Sequence, residues 1–95
     1  MSSKTIEELI KDFNYCAERV KNLKKSPTND EKLELYGYYK QVNCDNINIE
    51  KPSIFNLTAQ SKWNAWNKCK DIPKKKAIEL YIVSVYNLIN KYGEL

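Results

Sequence analysis

Residues 44–57 read CDNINIEKPSIFNL. Asn, Asp, Pro and Ser interrupt any helical spacing there, yet Ile47, Ile49, Ile54 and Phe55 keep the stretch apolar. This composition predicts a long ordered loop whose apolar side chains pack on the body of the protein. A link of this length in a small chain hints at a crossover or a functional site. It also decides topology, because a long link lets the elements on its two sides run parallel.

On the N-terminal side of the loop, DEKLELYGYYKQVN (30–43) reads as a helix with Leu33, Tyr36, Tyr39 and Lys40 along one side. Thr28 and Glu31 offer a capping box at its start. Further upstream, Ile6, Leu9, Ile10, Phe13, Cys16, Ala17, Val20 and Leu23 recur in steps of three, one and four, the signature of one helix face. Thr5 and Glu8 cap this first helix, and Pro27 stops it. On the C-terminal side, a third helix is expected over about 58–69, with Ala59, Trp63, Trp66 and Lys70 on one face. A fourth carries Ala77, Leu80, Tyr81, Ser84, Val85, Leu88 and Tyr92. Pro73 suits its first turn, with help from Asp71 in capping, and Gly93 ends it.

Four helices with one apolar side each can satisfy themselves only by packing together. The fold class is therefore all-α, a four-helix bundle. The long loop between helices two and three gives it up-down-down-up topology.

With 95 residues, the chain is sized for one domain, residues 1–95, and 42% hydrophobic content permits a modest core. Two Gly and three Pro leave little material for the turns of a many-stranded sheet. The formal net charge is +4, with a single Arg. That is short of a nucleic-acid arm but suits a partner with a few phosphates or carboxylates. Cys16, Cys44 and Cys69 are odd in number and lack CxxC spacing, so reduced thiols are expected. MSSKTIEELI has no apolar signal core, and no run approaches the ~20 residues of a membrane span. These features point to the cytoplasm. With no His, no nucleophile motif and badly spaced thiols, no catalytic residue and no metal site is expected. No glycine-rich phosphate loop is present.

The most informative chemistry lies in LYGYYKQ (35–41). Tyr36, Tyr39 and Lys40 stand at i, i+3 and i+4, so a helix sets two phenols beside one ammonium. Such a group can grip a phosphate or a nucleotide, or the phenols can be core residues with wet hydroxyls and Lys40 a surface charge. Trp63 and Trp66 read as core anchors. Lys62 and Lys21 alone read as solvated charges, and Tyr81 as either core or ligand platform. The Lys74-Lys75-Lys76 run opposes the dipole of the helix it opens. It reads as a solvated face or an attraction for an anionic partner or membrane.

LYGYYKQ, NIEKP (48–52), KWNAWNKCK (62–70), AIELYI (77–82) and KYG (91–93) together resemble the acyl-CoA-binding proteins, from Phe13 to Gly93. That family has an up-down-down-up four-helix fold. The resemblance implies an intracellular acyl-CoA carrier and pool former serving fatty acid metabolism and transport, without cofactor or catalysis. Lys40 and Lys62 would neutralise the ribose 3′-phosphate of CoA, and Tyr36 would help hold that phosphate and the adenine. Tyr81 would lie near the adenine, with Tyr39 and Lys21 beside the ligand. Phe13, Ala17 and Leu33 would line the acyl groove. It further implies a monomer with long-chain acyl-CoA as ligand, no nucleic acid, and transient contacts with membranes or acyl-CoA-using enzymes. The chain departs from the family pattern at Thr58 (often Lys), Lys32 (often apolar), Asp45 (often Gly) and Lys51 (often Arg). The rival reading is a helical protein-interaction module that uses a basic face; a weak nucleic-acid binder is a third. Both would respond to ionic strength and ignore acyl length.

Overall fold

Thr5 and Thr28 each accept a hydrogen bond from the backbone N–H three residues on, and Glu8 and Glu31 reach back to the threonine N–H groups. These two capping boxes fix where the first two helices begin. The computed structural model describes residues 4–95, so residues 1–3 of the expected 1–95 domain lie outside the described residues. Among the described residues there are four α-helices: α1 (Ile6–Arg19), α2 (Asn29–Cys44), α3 (Leu57–Asn67) and α4 (Lys74–Tyr92). No strand occurs among the described residues beyond one isolated bridge between Leu23 and Glu94.

Side-chain partners give the helix directions. Phe13 meets Tyr81, and Arg19 meets Tyr86 and Glu94, so α1 and α4 run parallel. Glu31 reaches Tyr92, Glu34 reaches Ser84 and Gln41 reaches the Ile72 carbonyl, so α2 is antiparallel to α4. Tyr36 meets Lys62 and Lys40 meets Trp66, so α2 and α3 run parallel. This is the up-down-down-up order. The α2 and α4 helices form the centre, α1 flanks α4, and α3 flanks α2.

The core is built where three helices meet. Leu9, Phe13 and Cys16 of α1, Leu35 and Val42 of α2, and Ala77, Ile78, Tyr81, Val85 and Leu88 of α4 are buried together. Ile78 and Val85 are fully enclosed. Burying side chains of this size stabilises by about 1.5–3 kcal/mol each before ordering costs. Gly37 sets the α2–α3 spacing. A Cβ there would lie 2.5 Å from the Ala65 carbonyl oxygen, so only glycine lets the two helices approach this closely.

Several sequence expectations need correction. The first helix ends at Arg19, passes into a 3-10 turn (Val20–Asn22), and stops well before Pro27. There the chain pairs instead with the C-terminus: Lys24 N–H donates to Gly93 O and Leu95 N–H to Asn22 O. The third helix is two residues shorter at its end than expected, giving way to turns at 68–71. Pro73 is the N-cap of α4, one residue before the helix, and it provides no side-chain cap. Asp71 does not cap α4, because its backbone and carboxylate are both bonded to Asn46.

The largest correction concerns the connection, residues 45–56. Ile47 is half-buried, but Ile49, Ile54 and Phe55 are 57%, 70% and 92% exposed instead of packed on the body. Polar bonds hold this segment in place of apolar contact. The Trp66 indole N–H donates to Asp45 O, the Trp63 indole N–H to Ile49 O, and the Gln60 amide to Pro52 O. At its start, Asp45 adopts φ 62°, ψ −152°, a region that favours glycine and costs another residue about 1–3 kcal/mol.

Candidate functional site

Helix α2 carries the site because its register sends Tyr36, Tyr39 and Lys40 out along one side while Leu35 and Val42 anchor it in the core. Lys40 is half-buried, with its ammonium 4.8 Å from the centre of the Trp66 ring. Lys62, one turn earlier on α3, places its ammonium 5.6 Å from the centre of the Tyr36 ring. Lys51, from the connecting loop, lies 5.8 Å from the centre of the Trp63 ring. Three ammonium groups therefore rest on aromatic faces along the α2–α3 seam.

These contacts attract but do not neutralise. Four other cations are compensated by carboxylates. Lys4 is paired with Asp12, Arg19 with Glu94, and Lys91 with Glu31. Among the described residues, Lys40 and Lys62 have no carboxylate partner. Their charge remains available to an anion. Lys21, the third lysine expected at the ligand, is different: its ammonium binds Glu18 at 2.7 Å, which also raises its pKa. It lies near enough to Tyr39 to feel that phenol, but its charge is already compensated.

Beside the cations, Phe13, Tyr39 and Tyr81 form an aromatic cluster drawn from α1, α2 and α4. Phe13 stacks on Tyr39 at 5.6 Å and tilts against Tyr81 at 4.6 Å, and Tyr39 and Tyr81 are 6.1 Å apart. Tyr39 is 43% exposed, whereas Phe13 and Tyr81 are buried, so the cluster opens to solvent at Tyr39. Burial pushes the Tyr81 phenol up to about 12, helped by neighbouring Tyr39 and Cys16. Tyr81 thus stays a neutral O–H at physiological pH. Ala17 is half-buried one turn beyond Phe13 and packs on the same core.

The structure thus brings together Tyr36 with Lys62, and Phe13 with Tyr39 and Tyr81, along one flank of α2, with Lys40 one turn beyond Tyr36 and against Trp66. It does not place Leu33 with Phe13. Leu33 lines a cavity of about 570 Å³ between α2 and α3, together with Asp30, Glu34, Tyr38 and Lys68. A second cavity of about 300 Å³ lies between α2 and α4 and is bordered by Asp30, Glu31 and Glu34. These cavities offer space, but the carboxylates suit an anionic ligand badly. Trp66, expected as a core anchor, is both buried and the ring beneath Lys40. Its second role was not legible, since nothing in the sequence pairs Lys40 with a tryptophan on another helix. Thr58 and Lys32 are exposed. Cys16 and Cys69 are buried, with pKa raised mainly by that burial, and Cys44 is exposed; all three are free thiols. Among the described residues no cluster of His, Cys, Asp and Glu could hold a metal. No helix among them is long and apolar enough to cross a membrane.

Comparison with known proteins places this geometry in a family. The family model "Acyl CoA binding protein" matches residues 10–85. A Hypsibius protein that carries an acyl-CoA-binding-protein name is 43% identical over 81 residues, covering 85% of this chain and 91% of the relative. The crystal structure of Oryza sativa acyl-CoA-binding protein 2 superposes with a TM-score of 0.86 at 35% identity, covering 90% of this chain and 92% of that one. The solution structure of the yeast acyl coenzyme A binding protein gives 0.67 at 40% identity, over 86% and 95% of the two chains. With most of its length matched in sequence and in fold, the chain belongs to the acyl-CoA-binding protein family.

Proposed function

We propose that residues 1–95 act as a single domain that binds medium- to long-chain acyl-CoA esters and carries them in the cytosol as a monomer, without transforming them. The observation that supports this most is the pair of ammonium groups, Lys40 and Lys62, resting on rings instead of carboxylates and adjoining the Phe13–Tyr39–Tyr81 cluster. In this reading the two lysines neutralise the 3′-phosphate of CoA. Tyr36, already against Lys62, donates a hydrogen bond to that phosphate and offers its ring to the adenine. Tyr81 and Tyr39 bound the adenine side, and Lys21 sits at the rim, where it would exchange Glu18 for the ligand.

The acyl tail is sheltered by apolar surface. Phe13 and Ala17 form its wall, whereas Leu33, which the resemblance also assigns to the groove, lies toward the α2–α3 cavity and is not part of that wall. Each methylene buried contributes about 0.8 kcal/mol, so a dozen supply several kcal/mol after ordering costs. The charged head sets recognition, and the tail sets affinity. Plain fatty acids lack the head, so they bind poorly. No base or nucleophile is needed, because the ligand leaves as it entered.

The test is isothermal titration calorimetry with CoA, octanoyl-CoA and palmitoyl-CoA. The expected result is a steep rise in affinity with chain length and weak binding of CoA itself. Equal affinity for CoA and palmitoyl-CoA would refute the division between head and tail.

A further inference from the structure

The stripe of α2 that carries Tyr39 continues past the candidate site. Lys32 stands two helical turns before Tyr39 and one before Tyr36, so all three share one side of α2. Helices α1 and α2 each pack on α4, and they meet through Phe13 stacked on Tyr39. They are antiparallel, because α1 runs with α4 and α2 against it. One turn beyond Phe13, Ala17 therefore falls level with Leu35 and Tyr36, and Val20 falls level with Lys32. Phe13 is buried, and Ala17 and Val20 are half-buried and packed on the core. An apolar stripe thus runs about 10 Å between the two helices, from the level of Tyr39 to that of Lys32.

The far end of that stripe is cationic. Lys32 is exposed and, among the described residues, forms no ion pair. Its neighbours one turn away on α2 are Thr28, Asn29, Leu35 and Tyr36, none of them acidic. Because Tyr36 meets Lys62 across parallel helices, the α3 residue level with Lys32 is Thr58, exposed and uncharged. The adjoining Glu31 carboxylate is bonded to Tyr92 and Lys91 of α4. On the α1 side, Lys21 is already held by Glu18. A methyl-ended tail arriving here can touch only the stem of Lys32 and leaves its ammonium to water. A tail that ends in a carboxylate gives the ammonium a charge-assisted partner.

We infer, resting on the acyl-CoA reading above, that Lys32 extends the ligand range to CoA esters of medium-chain α,ω-dicarboxylic acids by pairing with the free ω-carboxylate. The ligand is then anchored by charge at both ends, its head at Lys40 and Lys62 and its tail at Lys32. A groove closed by apolar side chains would reject such a tail, because burying an unpaired carboxylate is costly. Here the carboxylate lies at the exposed end and is paired, and only the methylenes between are covered by Phe13, Ala17 and Val20. A diacid too short to reach Lys32 leaves its carboxylate against those apolar side chains and is excluded.

The experiment is calorimetry with lauroyl-CoA and with dodecanedioyl-CoA, the same chain ending in a carboxylate. It is run on the parent and on Lys32→Met, Lys32→Arg and Lys68→Met. The parent binds dodecanedioyl-CoA within about threefold of lauroyl-CoA. Lys32→Met lowers the ratio of dodecanedioyl-CoA to lauroyl-CoA affinity about fivefold, and Lys32→Arg keeps the parent ratio. Lys68→Met, on the acidic flank, changes the net charge equally and also keeps that ratio. Lys32 is exposed, so circular dichroism should show unchanged helix content. An unaltered ratio in Lys32→Met overturns the inference, as does an equal fall in Lys68→Met. A parent that prefers lauroyl-CoA by more than about tenfold overturns it too. In each of those results, retained lauroyl-CoA binding leaves the acyl-CoA reading standing, whereas a parent that binds neither ester overturns both.

Discussion

The two flanks of α2 are opposites. One presents Tyr36, Tyr39 and Lys40, with Lys62 of α3 laid across Tyr36. The other presents Asp30, Glu31 and Glu34 and borders cavities of about 570 and 300 Å³. The acidic flank offers cavity space. By charge it is the wrong one for a polyanion, since desolvating a phosphate beside carboxylates costs more than the space returns. The difference teaches that, for a polyanion at an open helical site, charge is a stronger argument for the proposed placement than enclosed space is.

Inverting the charge of the cationic flank should have the largest effect. Lys62→Glu replaces an attraction to phosphate with a repulsion, and affinity for palmitoyl-CoA should fall roughly a hundredfold, equivalent to about 2.7 kcal/mol. Calorimetry reads this directly, and the exposure of Lys62 should leave thermal stability nearly unchanged. Next is the seam where α2 meets α3. Gly37→Ala forces a methyl group onto the Ala65 carbonyl and should destabilise by about 1–3 kcal/mol, measured by urea unfolding. Pushing the helices apart also separates Lys62 from Tyr36, so ligand affinity should drop as well.

Acid should distinguish the flanks by stability. Glu31 accepts hydrogen bonds from the Tyr92 hydroxyl at 2.6 Å and the Thr28 N–H at 2.8 Å, and pairs with Lys91 at 3.0 Å. These hold its carboxyl down to about 2 from an ordinary 4.5, led by the Tyr92 bond. Glu94 is lowered in the same way by Arg19. A carboxyl with a depressed folded-state pKa stabilises fully above its unfolded value and loses that contribution as pH falls through the folded one. Melting temperature should therefore decline as pH is lowered from about 4.5 toward 2. Glu31→Gln should make the decline shallower. The smallest effect belongs to the acidic flank in binding: Glu34→Gln should change palmitoyl-CoA affinity by no more than about twofold, as expected for an exposed charge with no ligand contact.

Much of this was legible in the chain itself. Both capping boxes, the apolar face of α1, the Gly93 stop and the four-helix order follow from local spacing, and the long connection implied the parallel α2–α3 pair. The end of α1 was not legible, because a strand-like pairing of residues 22–24 with 93–95 stops it and that partner lies at the far end of the chain. Ile54 and Phe55 depart from expectation for a related reason. Apolar composition suggests burial, but hydrogen bonds from Trp63, Trp66 and Gln60 hold the loop and leave its tip outside. At the site, Tyr36, Tyr39 and Lys40 could be grouped because one helix sets their spacing. The pairing of Lys21 with Glu18 and the placement of Leu33 on the other flank depend on three-dimensional packing that no spacing rule reports.

The central claim is that Lys40 and Lys62 hold the 3′-phosphate of a CoA ester. Calorimetry with palmitoyl-CoA and with palmitoyl-dephospho-CoA, which lacks that phosphate, should be run on the parent chain and on Lys40→Ala/Lys62→Ala. The parent should lose most of its head-group affinity when the phosphate is removed, and the double variant should bind both ligands about equally. A double variant that still discriminates between the two as strongly as the parent would place the phosphate elsewhere and contradict the site.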